Sequence, residues 1–407
     1  MPRVKTIGIL IGTLLLLSGL SAFAVQNPRQ YKKEIAPYIA FLKTQNCRPV
    51  DYIMRLFEKY DIVILCERFH PETTQYDLIY SLASDKRFIA KIGNIFTEIG
   101  TSTNNGFLHD FMSADGLSDA EAEKKVMYLY RNLYWSPIWE KYNFFNFLKR
   151  LYALNRSLPA GSKINISFSD MPFSWESMTK EKYQLFKKSL GQRDQIMAEQ
   201  IITGFNDVLK STQPRKKALV IMNYRHAFND NFKKLNGEKV GNSGRFIFEA
   251  FPGKVANIMI NSVALLPGTN DQKAIIAPIS DGKWDAAFEA AGNPDLGFDF
   301  KGNAFGADHF DYFPFFNHDY KYQDIFTGFV FYKPLEKHRM LSGIPNLFDD
   351  GYDKIILERV AITGESIEKG KAVEIMAEIG TLHESTYDDL PALMDKIRGW
   401  LSHGKEN

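Results

Sequence analysis

Asp61-Ile62-Val63-Ile64-Leu65-Cys66-Glu67-Arg68-Phe69-His70-Pro71-Glu72 is the stretch that decides the fold. Ile62 to Leu65 are apolar in succession and three of the four are β-branched, which reads as a short strand buried on both faces, as in the middle of a parallel sheet. The apolar run stops at Glu67, and His70 follows three residues later. From Thr73 to Ile79 the chain has the composition of a helix start. A carboxylate and an imidazole at the carboxyl end of a central strand stand where open α/β sheets build their sites. The plainer alternative is a strand-to-helix loop whose Glu and His cap and face solvent.

The same alternation continues outward. Residues 30–43 and 52–60 carry apolar side chains at helical spacing. Further candidate strands are Asn94–Gly100, ending near Glu98, Lys163–Asp170, closing on Asp170, Ala218–Met222, followed by Asn223-Tyr224-Arg225-His226, and Val255–Ile260. Ile325–Tyr332 and Lys354–Leu357 are a sixth and a seventh. Between them, 104–157 is helical and aromatic-rich, with Trp135, Trp139, Phe144, Phe145 and Phe147, and 179–210 is a long helical stretch. Strands alternating with helices predict an α/β fold, a mostly parallel sheet flanked by helices. The expected organisation is a single α/β domain over 25–407 with a helical insertion at about 104–157. An aromatic-rich loop follows in the C-terminal part.

The amino terminus reads differently. Arg3 and Lys5 precede an apolar run from Ile7 to Leu20, and Ala22-Phe23-Ala24 supplies a small-x-small site. This predicts a signal peptide over 1–24 and export to the periplasm or beyond, with no membrane attachment after cleavage. Without Arg3 and Lys5, the 50 basic residues fall level with the 48 acids, so no nucleic-acid footprint or polybasic membrane patch is expected. Cys47 and Cys66 are the only 2 cysteines. Either they pair in an oxidising compartment or Cys66 packs as a small hydrophobe. There is no Cys/His spacing for structural zinc, no Gly-x-Gly-x-x-Gly or Gly-x-x-x-x-Gly-Lys for nucleotides, and no Gly-x-Ser-x-Gly for a serine hydrolase.

Four strand ends therefore carry chemistry: Glu67 with His70, Glu98, Asp170, and Asn223 with His226. Parallel strands would bring them to one edge, where an imidazole held by a carboxylate is a competent general base for water. Arg193 and Asp194, in the helix before the Ala218 strand, are either an exposed charge pair or a cation for a carboxylate or developing oxyanion.

Cys66-Glu67-Arg68-Phe69-His70, the strand ending at Glu98, Arg193-Asp194-Gln195-Ile196-Met197-Ala198-Glu199 and Asn223-Tyr224-Arg225-His226 stand in the order seen in erythromycin-esterase-like proteins. The chain resembles that family over roughly residues 50–260; the family shares a superfamily with ChaN-like haem-uptake proteins and Tiki metalloproteases. Its motifs usually read Gly-Glu-x-x-His, Arg-Asp-x-x-Met-Ala and His-x-x-His. Cys66 replaces the Gly, and Asn223 replaces the first His of the last motif. Asn orients and hydrogen-bonds but takes no proton at neutral pH.

The resemblance implies an α/β pocket and a metal-independent hydrolase that cleaves an ester with activated water. His70 takes the proton, Glu67 orients it, Arg193 and His226 stabilise the oxyanion, and Glu98 completes the network. Asp170, Asn223, Arg68 and Asp194 are the expected substrate-binding groups, and no cofactor is expected. The substrate is a small molecule or a glycan or peptide ester. Two alternatives stand beside this. Glu67, His70, Glu98 and His226 form an acceptable metal set for a Tiki-like peptidase. The aromatic stretch from Phe298 to Tyr322, around His309 and His318, suits a haem or flat-ligand binder, or is simply a loop packed on the core.

Overall fold

The computed structural model describes residues 31–233, 238–266, 275–312, 320–365 and 369–401. The expected signal peptide lies outside these residues, as do Phe313, Phe315, Phe316 and His318. Among the described residues no helix is long and apolar enough to cross a membrane.

Seven strands form one sheet: β1 Ile62–Glu67, β2 Asn94–Thr101, β3 Asn165–Asp170, β4 Ala218–Asn223, β5 Val255–Ile260, β6 Leu296–Asp299 and β7 Gly328–Phe331. Their spatial order is β6-β7-β5-β1-β4-β2-β3. All neighbours run parallel except β6 and β7. β1 is central, and its side chains alternate between two cores. Ile62, Ile64 and Cys66 pack with Met197, Ile201 and Phe205, whereas Val63 and Leu65 pack with Ile79, Leu82 and Leu148. Apolar contacts on both faces explain why the strand lacks any polar alternation. Cys66 is part of this packing, and both cysteines are free thiols.

The helices that matter for the site are α1 Thr74–Ala83, which follows β1, and α2 Asn105–Ser113, α3 Asp119–Arg131 and α4 Tyr142–Arg156, which lie between β2 and β3. A short helix, α5 Lys180–Ser189, leads through a 3-10 turn into α6 Arg193–Lys210. Arg193 is thus the first residue of its helix rather than an interior one.

The seventh candidate strand is a correction. Lys354–Leu357 lies within a helix, α7 Tyr352–Thr363, where Ile356 and Val360 are buried one turn apart while Ile355 and Leu357 are exposed. A segment of four residues, two of them β-branched, cannot separate the two periods; the burial of Val360 four residues on does. The aromatic segment is a packed one: Phe298, Phe300, Phe305, Phe310, Tyr312 and Tyr322 are all buried, around Trp284, Phe288 and Phe329. Two antiparallel ribbons, Met340–Ser342 with His383–Ser385 and Val263–Leu266 with Ile275–Pro278, complete the parts that bear on the site.

Candidate functional site

The turn after β1 is fixed by its own side chains. Glu72 accepts from the backbone N–H groups of Thr74 and Gln75, capping α1, and also from Arg68 at 2.8 Å. Gln75 accepts from the Arg68 N–H and donates to the Phe69 and Glu72 carbonyls. Arg68 was expected among the substrate-binding groups, and the structure places it elsewhere. It is 0% exposed, and its guanidinium is engaged by Glu72, Asn261 and the Tyr332 carbonyl. Its position one residue past the strand end turns it to the interior.

This rigid turn presents His70. Its Nδ1 lies 2.7 Å from Glu67 Oε2, and the Tyr76 hydroxyl donates to Glu67 Oε1 at 2.7 Å. Trp139 stands edge-on to the imidazole at 5.1 Å, and Asn143 donates to the His70 carbonyl. With Nδ1–H held by Glu67, Nε2 is the free nitrogen, 3.9 Å from Glu98 Oε1. His70 keeps 18% of its side chain accessible. Burial would lower the His70 pKa, but the charge and hydrogen bond of Glu67, joined by Glu98, raise it above its usual value.

Glu98 is the hub. Its Oε1 lies 3.0 Å from Arg193 Nη2 and 3.3 Å from His226 Nε2, and its Oε2 accepts from the Asn223 N–H at 2.6 Å. Burial alone would raise its pKa, yet His226, Arg193 and His70 hold it far below the usual carboxylate range. Arg193 is clamped by Asp170 through two contacts of 2.9 Å, and its Nη1 is 3.1 Å from His226 Nε2. Asp194 holds His226 Nδ1 at 2.8 Å and itself accepts from the Ser243 N–H at 3.0 Å. Two imidazole–carboxylate pairs, Glu67–His70 and Asp194–His226, thus meet at Glu98 and Arg193. Arg193 and Asp194 form no exposed charge pair.

Glu67, His70, Glu98, Arg193 and His226 are therefore brought into one network at the carboxyl ends of β1, β2, β4 and the head of α6. Asp170 and Asp194 belong to the same network as holders of Arg193 and His226: both oxygens of Asp170 are taken by Arg193, and Asp194 Oδ1 is taken by His226 and Ser243. Asn223 donates to the Arg68 carbonyl at 2.8 Å and accepts from Arg225 Nε at 3.2 Å. Tyr76, Trp139 and Ser243 complete the site and carry no sequence signal, because Tyr76 and Ser243 reach it from two different helices and Trp139 from the connection between α3 and α4.

A cleft of about 490 Å³ opens at His70 and is bounded by Phe69, Tyr224, Leu265, Ile276, Met340 and Tyr387, with Lys141 and Arg225 among its polar groups. Glu67, His70 and Glu98 each offer one donor atom within 4.8 Å of the others. These residues do not fit a metal ion well. Glu67 is bonded to Nδ1 of the very histidine it would share the ion with, the place of an outer partner rather than a ligand. Arg193 already sits as a cation on Glu98.

No family model matches the chain, and no curated protein does. Among solved structures it is similar to a Bacillus cereus protein at 11% identity, covering 73% of this chain and 96% of that one, with a TM-score of 0.44. It is also similar to a mutant of the erythromycin esterase EreC in its open conformation, at 11% identity, 74% and 96% coverage, and a TM-score of 0.43. A succinoglycan biosynthesis protein matches at 10% identity, 75% and 94% coverage, and a TM-score of 0.43.

Proposed function

We propose that this chain is a metal-independent hydrolase that cleaves an ester with water activated by His70. The observation that carries the reading is the Glu67–His70 pair at 2.7 Å, with His70 among the residues that line an open, largely apolar cleft. Glu67 fixes the proton on Nδ1, so Nε2 accepts one from water as that water attacks the ester carbonyl. The carbonyl oxygen gains the negative charge, and Arg193 with His226, joined to His70 through Glu98, is the pair assigned to receive it. Collapse of the tetrahedral intermediate expels the alkoxide, which takes the proton back from His70. Glu98 keeps Arg193 and His226 in register, and Tyr76 restrains Glu67 from the side away from His70.

The test is a panel of ester and peptide substrates on wild type and His70→Ala, each with and without chelator. His70→Ala lowers kcat by about 10²–10⁴-fold while substrate binding persists, because a general base acts on the transition state. Chelator changes nothing. Full activity in His70→Ala ends the proposal; loss on chelation, restored by zinc or manganese, transfers the site to metal chemistry.

A further inference from the structure

The hydrolase reading leaves the chemistry of the substrate open, and Arg225 bears on it. The 3-10 turn Tyr224–His226 follows β4 directly, and the Asn223 side chain caps it. Asn223 Oδ1 accepts from the Arg225 backbone N–H at 3.4 Å and from its Nε at 3.2 Å. The Arg225 carbonyl accepts from Asn242. Both ends of the residue are therefore tethered. Its Nη1 and Nη2 make no hydrogen bond or ion pair among the described residues. Arg225 is exposed and lines the same cleft as His70, together with Phe69, Leu265, Ile276 and Met340.

The other charges on the cleft do not cancel it. Lys141 is engaged by Glu140. Asp388, an acid in the lining, forms no ion pair with Arg225. A guanidinium held by its Nε, with two free Nη groups, presents a planar fork that matches a carboxylate in a bidentate way.

Resting on the hydrolase reading, we propose that the substrate is an amphipathic ester: an apolar body lies along Phe69, Leu265, Ile276 and Met340, and a carboxylate at its far end is held by Arg225. Asn223 is then a positioning residue. Where the erythromycin-esterase-like pattern has histidine, this chain has an amide whose oxygen stays an acceptor at every pH, and that oxygen aims the fork. A protonated imidazole there has no acceptor to offer.

The test pairs two chromogenic esters of similar length, 4-nitrophenyl hemiglutarate, which is anionic, and 4-nitrophenyl pentanoate, which is neutral. It also measures binding of their non-hydrolysable anilides by calorimetry. Wild type prefers the anionic ester in kcat/KM. Arg225→Gln lowers that preference about 10–100-fold, the span of a charge-assisted hydrogen-bond pair, and the loss falls on KM. Arg225→Lys restores part of it. Because Arg225 is exposed, its substitution leaves the core intact, and circular dichroism checks that. A preference unchanged in Arg225→Gln, or a wild type that favours the neutral ester, overturns the carboxylate clamp and leaves the hydrolase. No turnover of either ester, with anionic-anilide binding lost in Arg225→Gln, overturns the hydrolase and keeps the clamp.

Discussion

His70 is under two opposed influences: burial disfavours its proton, and the neighbouring Glu67 and Glu98 carboxylates favour it more. The balance holds its pKa above the usual 6.5. A general base works only when neutral, so kcat/KM is expected to rise with pH and to reach half its limit above that value. Glu67→Gln removes the larger of the two attractions and moves the half-point toward acid, besides lowering the rate. Gln keeps an acceptor for Nδ1–H, so the ring need not turn. A pH–rate profile of wild type and variant decides this; a rising limb that stays put belongs to some other group. Asn223 shows how far one residue departs from the resembled pattern. Its amide satisfies a backbone carbonyl and Arg225 together, so Asn223→His disturbs three bonds as well as adding a base.

At the level of elements, β2 is the one that aims a catalytic candidate by breaking its own regularity. Its pairing with β3 shifts register between Thr97 and Thr101, and Glu98 sits inside that irregularity. Gly100 carries φ of 107°, and a Cβ there would come within 2.4 Å of the Phe168 ring. Gly100→Ala therefore strains the backbone and overfills the core. We expect a loss on the order of 2–5 kcal/mol, measured as a lower denaturation midpoint. An unchanged midpoint refutes this account of the bulge. The strands that present Glu67, Glu98, Asp170 and Asn223 were legible because each apolar run ends on a polar residue. β6 is not legible, since its four residues look like the surrounding loop, and Lys354–Leu357 reads as a strand though it is helical because a helix turn and a strand of that length share one composition. The clamp of Asp170 on Arg193 and the seat of Tyr76 on Glu67 depend on how helices cross the sheet, which no local pattern encodes. For the same reason Arg68, adjacent to Glu67, looked like a site residue and is an interior one.

Across the whole molecule, sheet order and chain order disagree. β1 lies between β4 and β5, so both of its neighbours come more than 150 residues after it in the sequence. Only β2 and β3 can pair within the first half of the chain. In refolding from denaturant, the helical signal is therefore expected to return before ester hydrolysis does, because Glu67 and His70 have no fixed frame until Ala218–Asn223 docks. Stopped-flow circular dichroism set against recovery of activity measures the lag, and simultaneous recovery contradicts it. The same arrangement sets a schedule for synthesis. His70 leaves the ribosome early, just past an apolar strand whose one edge stays bare until Ala218–Asn223 has been made and whose other edge waits for Val255–Ile260. Throughout that interval the nascent protein displays an unpaired, sticky ribbon, the kind of segment that holding chaperones recognise, and the frame of the reactive centre is completed only by strands from the second half of the chain.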